Sequence, residues 1–349
     1  MRPRSLRTLT AFALAATLAV TACGSLPLIG RPAREVWGFT VPWDARSTAS
    51  AREHGAALDA IVTGWIALDS LTGAPLDVFR DTVAPASDTA RRRMALVTSF
   101  AGDRFHASTV RGLAAAPAQL ARVADEIGQR ASVAGYRGLV LDFEGLAPSD
   151  APALVAVSTA IRDAAHQRGI RPVAIAVPAG DTAAYPTARL AAAADLIVVL
   201  LYDEHWAGSR PGAIASPDWV RRQLGVRVAE VGASRLVAAL PLFGYHWRRD
   251  SAGASAPSPS NSTPSQVGYA AQVVSYADAL RLALEAGVQL QREPATGTLR
   301  ATRPGEWELW VADAELLRAL ISDVERSGIR RFALWRLGLE DPAVWRAIR

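Results

Sequence analysis

Eight short runs of this chain are apolar almost without a break, and alanine-rich stretches separate them. The runs are Val36–Val41, Ala60–Ala67, Met94–Phe100, Gly138–Phe143, Val173–Pro178, Leu196–Tyr202, Leu236–Leu240 and Arg331–Trp335. A strand that alternates apolar and polar residues has one wet face, whereas a strand apolar throughout is covered on both. Helical patterns at Pro117–Val133, Ala151–Gln167 and Ala314–Ser327 supply that cover. Strands alternating with helices imply an α/β protein with a parallel sheet. A count of eight favours closure into a (β/α)8 TIM barrel over an open doubly wound sheet, and no glycine-rich dinucleotide fingerprint follows the first run. With 349 residues, half of them apolar, the chain can fill such a core.

The rhythm breaks once. About ninety residues separate the seventh and eighth runs, several times a normal crossover. Ser251–Ser265 is rich in Ser, Pro and Ala and reads as a flexible loop. Tyr276–Ala286 reads as a helix, and Val288–Gln291, Leu299–Thr302 and Trp307–Val311 read as a small β-meander. The expectation is a small α+β insertion at about residues 248–311, on the upper rim of one domain spanning 34–349. The eighth strand must still return to close the barrel.

The N-terminus reads as a leader. Arg2, Arg4 and Arg7 precede an apolar run from Leu9 to Val20, which ends in Val20-Thr21-Ala22-Cys23. A basic segment, a short apolar segment and small residues before a cut make a secretory signal, here residues 1–22. Cys23, the sole cysteine, sits where the bacterial lipobox places its lipidated residue, with residues 23–33 as a tethered spacer. The expected location is the cell envelope, on the outer membrane or cell surface, because Gly24 lacks the acidic residue associated with inner-membrane retention. Lipidation leaves no thiol for a disulfide, so core burial alone must stabilise the domain. Losing the leader lowers the formal charge from +5 to +2. No basic cluster interleaved with aromatics remains, which excludes a nucleic-acid partner. The chain is expected to act as a monomer.

Residues 137–144 read Arg-Gly-Leu-Val-Leu-Asp-Phe-Glu, an apolar strand with two carboxylates at its C-terminal end. Side chains on a strand alternate faces, so Asp142 and Glu144 point the same way, about 6.6 Å apart along the chain. Like charges so placed raise one partner's pKa and leave the other ionised. Cleavage of a glycosidic bond uses such an acid and carboxylate. The plain alternative is an ion pair between these acids and an arginine at the barrel rim.

Barrel enzymes place their chemistry at the C-terminal ends of strands, and polar and aromatic residues collect at those ends here. They include Trp43, Tyr202, Asp203, Trp206, Tyr245, Trp247 and Trp335. Trp43, Trp206, Trp247 and Trp335 would line a cleft suited to stacking on flat sugar faces, whereas Trp37, Trp65 and Trp345 are assigned to structure. Asp203-Glu204-His205 invites a metal reading, but adjacent residues on one extended segment rarely converge on one ion. No metal site is expected.

These motifs together resemble glycoside hydrolase family 18, the chitinase-like family. Gly138-Leu139-Val140-Leu141-Asp142-Phe143-Glu144 is similar to its fourth-strand signature, D-G-x-D-x-D-x-E. Leu201-Tyr202-Asp203 resembles its sixth-strand M-x-Y-D, and Leu334-Trp335 its eighth-strand tryptophan. The likeness extends along most of residues 35–349 and is nearest the bacterial branch of spore cortex-lytic hydrolases and domains fused to polysaccharide synthases and deacetylases. The resemblance implies substrate-assisted, retaining hydrolysis of β-linked N-acetylglucosamine polymers. Glu144 would donate a proton to the glycosidic oxygen, and the sugar's acetamido carbonyl would attack the anomeric carbon. Asp142 would hold the acetamido N–H, Tyr202 the carbonyl oxygen, and Asp203 the sugar, with Trp335 beneath it. No cofactor is implied.

The pattern is incomplete. The family's first and second aspartates fall at Arg137 and Val140. Val140 can neither take a proton from Asp142 nor hydrogen-bond to it. Two classes therefore stay open: a glycosidase acting on chitin, peptidoglycan strands or poly-N-acetylglucosamine, and a non-catalytic glycan-binding lipoprotein.

Overall fold

A computed structural model of the chain describes residues 34–76, 92–249 and 268–348. The expected leader, Cys23, the 23–33 spacer and the Ser251–Ser265 loop lie outside the described residues. Eight parallel strands follow the order of the eight apolar runs: β1 (Glu35–Phe39), β2 (Ala60–Leu68), β3 (Arg92–Thr98), β4 (Leu139–Asp142), β5 (Val173–Pro178), β6 (Leu196–Leu200), β7 (Leu236–Pro241) and β8 (Arg331–Trp335). Each pairs with the next, and β1 pairs with both β2 and β8, so the sheet closes into a barrel. The helices between strands include α1 (Ala45–His54), α2 (Ala107–Ala115), α3 (Pro117–Val133), α4 (Ala151–Gln167), α5 (Thr187–Ala193) and α6 (Pro217–Val231). This is the (β/α)8 TIM barrel that the sequence pattern predicts. Among the described residues, no helix is long and apolar enough to cross a membrane.

Strand alternation divides the apolar residues into two cores. Inward-facing Trp37, Phe39, Met94, Leu96, Val140 and Val198 fill the barrel, with small Ala174, Ala176, Ala239 and Ala333 making room for the large rings. Outward-facing Ile61, Val97, Leu139, Leu141, Phe143, Val199 and Leu334 pack beneath the helices. An extra residue in β2, between Val62 and Gly64, breaks the alternation. That bulge keeps both Val62 and Trp65 in the inner core. Gly64 itself lies against Tyr136, whose ring atoms a Cβ would overlap.

The crossover from β7 to β8 departs from the expected three-stranded meander. It builds a five-stranded antiparallel sheet in the order Tyr269–Val274, Gly244–Arg249, Trp307–Val311, Leu299–Arg303 and Gln291–Arg292, with α7 (Tyr276–Glu285) beside it. Gly244–Arg249, whose Tyr245 and Trp247 the sequence places at the end of the seventh strand, pairs on both sides. Its residues alternate: Tyr245 and Trp247 join one aromatic cluster, while His246 lies edge-on to Trp307. Val288, expected to start a strand, instead donates its N–H to Ala283 and ends α7. The chain then enters α8 (Ala314–Arg326), capped by Asp313, and finishes with β8 and α9 (Val344–Ala347).

Candidate active site

β4 ends at Asp142, which shares the inward face with fully buried Val140 while Leu139, Leu141 and Phe143 face the helices. Asp142 is only 8% exposed and stands across the ladder from buried Thr98 on β3. The chain leaves the strand after it, and Glu144 sits half-buried above the barrel's inner core. Gly145 then turns back with φ +71°, a conformation that side chains disfavour.

Two strands away, Tyr202 continues the inner face of β6 and packs against both the inner core and the aromatic cluster of the insertion. Its ring lies nearly parallel to Trp335 at the top of β8, with centroids 6.2 Å apart, and Trp335 packs in turn on Phe39 at 5.5 Å. Asp203 follows with φ +63°, and the Tyr245 hydroxyl donates to its Oδ1 at 3.2 Å. Glu204 and His205 do not join it. Glu204 accepts from Ser216, and the His205 Nδ1 meets the Ala213 carbonyl, so the segment folds on itself rather than converging on an ion. Among the described residues, no group of three or more His, Cys, Asp or Glu is arranged to hold a metal.

The electrostatics are unusual for three neighbouring acids. Burial pushes Asp142 up to about 7. It pushes Asp203 to about 7 as well, against the opposing hydrogen bond from Tyr245. Glu144 is raised well above the ordinary carboxylate range, first by burial and then by the charges of Asp142 and Asp203. Tyr202 is also raised, by burial and by Glu144, Asp142 and Asp203. Among the described residues, no arginine pairs with Asp142 or Glu144. Arg336, which follows β8, donates to Asp44 at 2.9 Å. The ion-pair alternative therefore fails. The sequence-based expectation of one protonated and one normally ionised acid also changes, because Asp142 is raised along with Glu144. Burial and the like charges of Asp142 and Asp203 act in the same direction on Glu144, and both favour its protonated form.

The aromatic residues divide differently from expectation. Trp43 is 52% exposed and meets Trp65 edge-on at 4.9 Å, so it offers an open face. Trp206 is half-buried against the insertion's cluster. Trp247, expected in the cleft lining, is fully buried between Tyr245 and the rest of that cluster and cannot touch a ligand. Its strand turns it inward, a consequence of Gly244–Arg249 pairing as sheet. Tyr245 is itself buried and reaches the site through Asp203. Thr98, which the sequence places among the polar residues at the strand ends without a role, stands beside Asp142. Sequence reasoning passed over Tyr185, which bonds to the loop carrying Glu144, and nothing in the pattern marks it.

No family model matches the chain. The Bacillus subtilis protein YdhD, whose name marks it provisionally as a sporulation-specific glycosylase, is 25% identical over 263 residues, covering 72% of this chain and 59% of that protein. The cortical fragment-lytic enzyme of the same organism is 25% identical over 235 residues, covering 64% of this chain and 52% of that enzyme. The chain thus spans between half and three-fifths of these two relatives. Among solved structures, a chitinase from Chromobacterium violaceum superposes with a TM-score of 0.73 at 21% identity, covering 90% of this chain and 98% of that one. The spore cortex-lytic enzyme SleL of Bacillus megaterium gives 0.76 at 18% identity, covering 92% and 74%. A chitinase-like agglutinin from Robinia pseudoacacia gives 0.67 at 16% identity, covering 89% and 98%. Those three likenesses are of fold. Together with the relatives in sequence, they make the chain similar to chitinase-like barrels and to proteins named as glycosylases and cortex-lytic enzymes, consistent with the resemblance to glycoside hydrolase family 18.

Proposed function

We propose that the chain is a glycosidase that cleaves β-linked N-acetylglucosamine polymers by substrate-assisted, retaining hydrolysis. The observation that carries this reading is Glu144: half-buried, without a cation partner among the described residues, and pushed toward its protonated form by burial and by the charges of Asp142 and Asp203. A general acid must carry its proton at working pH and lie open to the bond it cleaves. The sugar would sit on Trp335 with its acetamido group toward Asp142 and Tyr202. As the acetamido oxygen attacks the anomeric carbon, positive charge develops on the acetamido nitrogen. Asp142, poised to ionise near neutrality, offsets that charge. The Tyr202 phenol, kept neutral by its surroundings, donates to the attacking carbonyl oxygen. The bond to the leaving sugar breaks as Glu144 gives up its proton, and Glu144 then takes one from water as the oxazolinium ring opens. Asp203, oriented by Tyr245, hydrogen-bonds the sugar, and Trp43 offers a further stacking face. The names of the relatives favour glycans of the bacterial wall among such polymers.

Glu144→Gln is expected to lower turnover about 10²–10⁴-fold, the usual contribution of a general acid, while N-acetylated oligosaccharides still bind by calorimetry. Unchanged turnover would remove Glu144 from the mechanism. A second reading, glycan binding without hydrolysis, draws on the missing acid at Val140 and on the agglutinin that shares the fold. It predicts binding equal in parent and variant, with no hydrolysis in either. We further propose that Cys23 carries a lipid that tethers the domain to a membrane. Cys23→Ala should then release the protein into the soluble fraction, and continued sedimentation with membranes would contradict the anchor.

A further inference from the structure

Glu144 stands on a two-residue loop that one buried phenol grips from both ends. The Tyr185 hydroxyl donates to the Phe143 carbonyl at 3.0 Å and accepts from the Leu146 N–H at 3.3 Å. Only Glu144 and Gly145 lie between those two points. Phe143 and Leu146 are themselves buried, so the backbone on either side of Glu144 is anchored while Glu144 is only half-buried. We propose that Tyr185 is a positioning residue for Glu144, fixing the height and direction of its carboxyl over Asp142. This rests on the reading of Glu144 as proton donor.

The phenol is itself held independently of the loop it grips. Tyr185 is 1% exposed and lies on the connection from β5 to α5. Fully buried Arg227, on α6, donates to the carbonyl oxygens of Pro178 at 2.8 Å, Asp181 at 3.0 Å and Tyr185 at 2.9 Å, and to the Thr187 hydroxyl. Asp181 also caps the N–H groups of Ala183 and Ala184. One guanidinium thus fixes the connection, and the connection presents one hydroxyl to the Glu144 loop. A hydroxyl suits this place because it can donate to a carbonyl and accept from an amide at once. Burial raises the Tyr185 pKa against the opposing Leu146 bond, and the nearby charges of Glu144 and Asp142 raise it further, so the phenol stays a neutral donor. Those couplings also place it within electrostatic reach of both acids.

The test is Tyr185→Phe in the full chain, with the side-chain carboxyl of Glu144 followed by carbon-13 NMR and assigned by its loss in Glu144→Gln. The Glu144 titration midpoint is expected to move by about half a pH unit or more. With an N-acetylated oligosaccharide, kcat should fall about tenfold while KM stays within about twofold, the signature of a misplaced acid. A lower melting temperature with an unmoved midpoint and unmoved kcat would make the clamp purely structural and overturn the proposal. Should Tyr185→Phe fail to fold by circular dichroism, site-specific 3,5-difluorotyrosine keeps the shape and strengthens the donor. An unmoved Glu144 midpoint there would likewise overturn it. The titration does not depend on turnover. A chain inactive on every N-acetylated glycan would refute the proposed activity yet leave a shifted midpoint as support for the clamp.

Discussion

The two ends of the barrel treat their acids in opposite ways. At the N-terminal end of the strands every acid described has a partner. Glu35 accepts from Trp37, Arg92 and Arg331, and these outweigh burial to hold its pKa below the ordinary value. Asp59 caps the Val36 N–H, and Asp195 accepts from both His166 and Val173. At the C-terminal end, Asp142 and Glu144 have no such partners among the described residues, and Asp203 has only a phenol. Burial there drives all three upward. Paired acids stabilise a fold; unpaired buried acids oppose it and persist where chemistry needs a displaced pKa. The contrast also extends sideways along the top rim. Asp44 there is bound to Arg46 and Arg336, and Arg46 reaches Asp278 on α7, tying the insertion to the barrel.

Charge-neutral substitutions at the two ends should therefore separate stability from activity. After Glu144→Gln, the largest effect belongs to Asp142→Asn. Activity on N-acetylated oligosaccharides is expected to fall about 10²-fold or more, because the developing charge on the acetamido nitrogen loses its counterpart. Stability should move the other way. The folded-state pKa of Asp142, about 7, lies above its unfolded value. The folded state therefore holds the extra proton between about pH 4 and 7, and stability declines as pH rises through that window. Asp142→Asn removes this cost, so it should exceed the parent at pH 8 by on the order of 1–3 kcal/mol and match it near pH 4. Denaturant melts at the two pH values check both statements. A destabilised variant at pH 8 would mean that Asp142 has a cation partner after all.

Glu35→Gln should do the reverse. Activity is expected to stay unchanged while about 1–2 kcal/mol of stability is lost at pH 7, since Glu35 is partly buried between two guanidinium groups. Its depressed pKa sets the sign: the contribution is full above the unfolded value of about 4.3 and disappears as pH falls through the lower folded value. The gap between parent and variant should accordingly close in acid. A change in kcat would show that the two ends of the barrel are coupled. The smallest effect is expected for Trp43→Ala. With its ring half exposed, it should raise KM for long oligosaccharides about two- to fivefold, within the range of one stacking contact, and leave short ones unaffected.

Much of this contrast was legible in the residues. Apolar runs marked all eight strands, and the alternation in 138–144 put Asp142 inward and Phe143 outward, as the two cores confirm. Three motifs at strand ends converged because the barrel sets them on one rim. What escaped was what depends on partners distant in sequence. Gly244–Arg249 alternates cleanly, but aromatic residues at a strand top look alike whether they line a cleft or pair as sheet, and Trp247 is consequently buried. The Tyr185 clamp joins residues about forty apart, and Arg227 reaches it from a third element. No local period encodes such contacts. That Asp142 would be raised along with Glu144 required knowing how deeply it is buried and that no guanidinium pairs with it among the described residues.

The central claim, that the sugar brings its own nucleophile to an acid already protonated, is tested most directly by two oligosaccharides of equal length. One is fully N-acetylated and the other fully deacetylated, and both are offered to the purified chain near neutral pH with products resolved by mass. Cleavage of the acetylated chain alone, with the anomeric configuration retained, is the predicted result. Equal cleavage of both would contradict it, because a free amine has no carbonyl oxygen to attack the anomeric carbon.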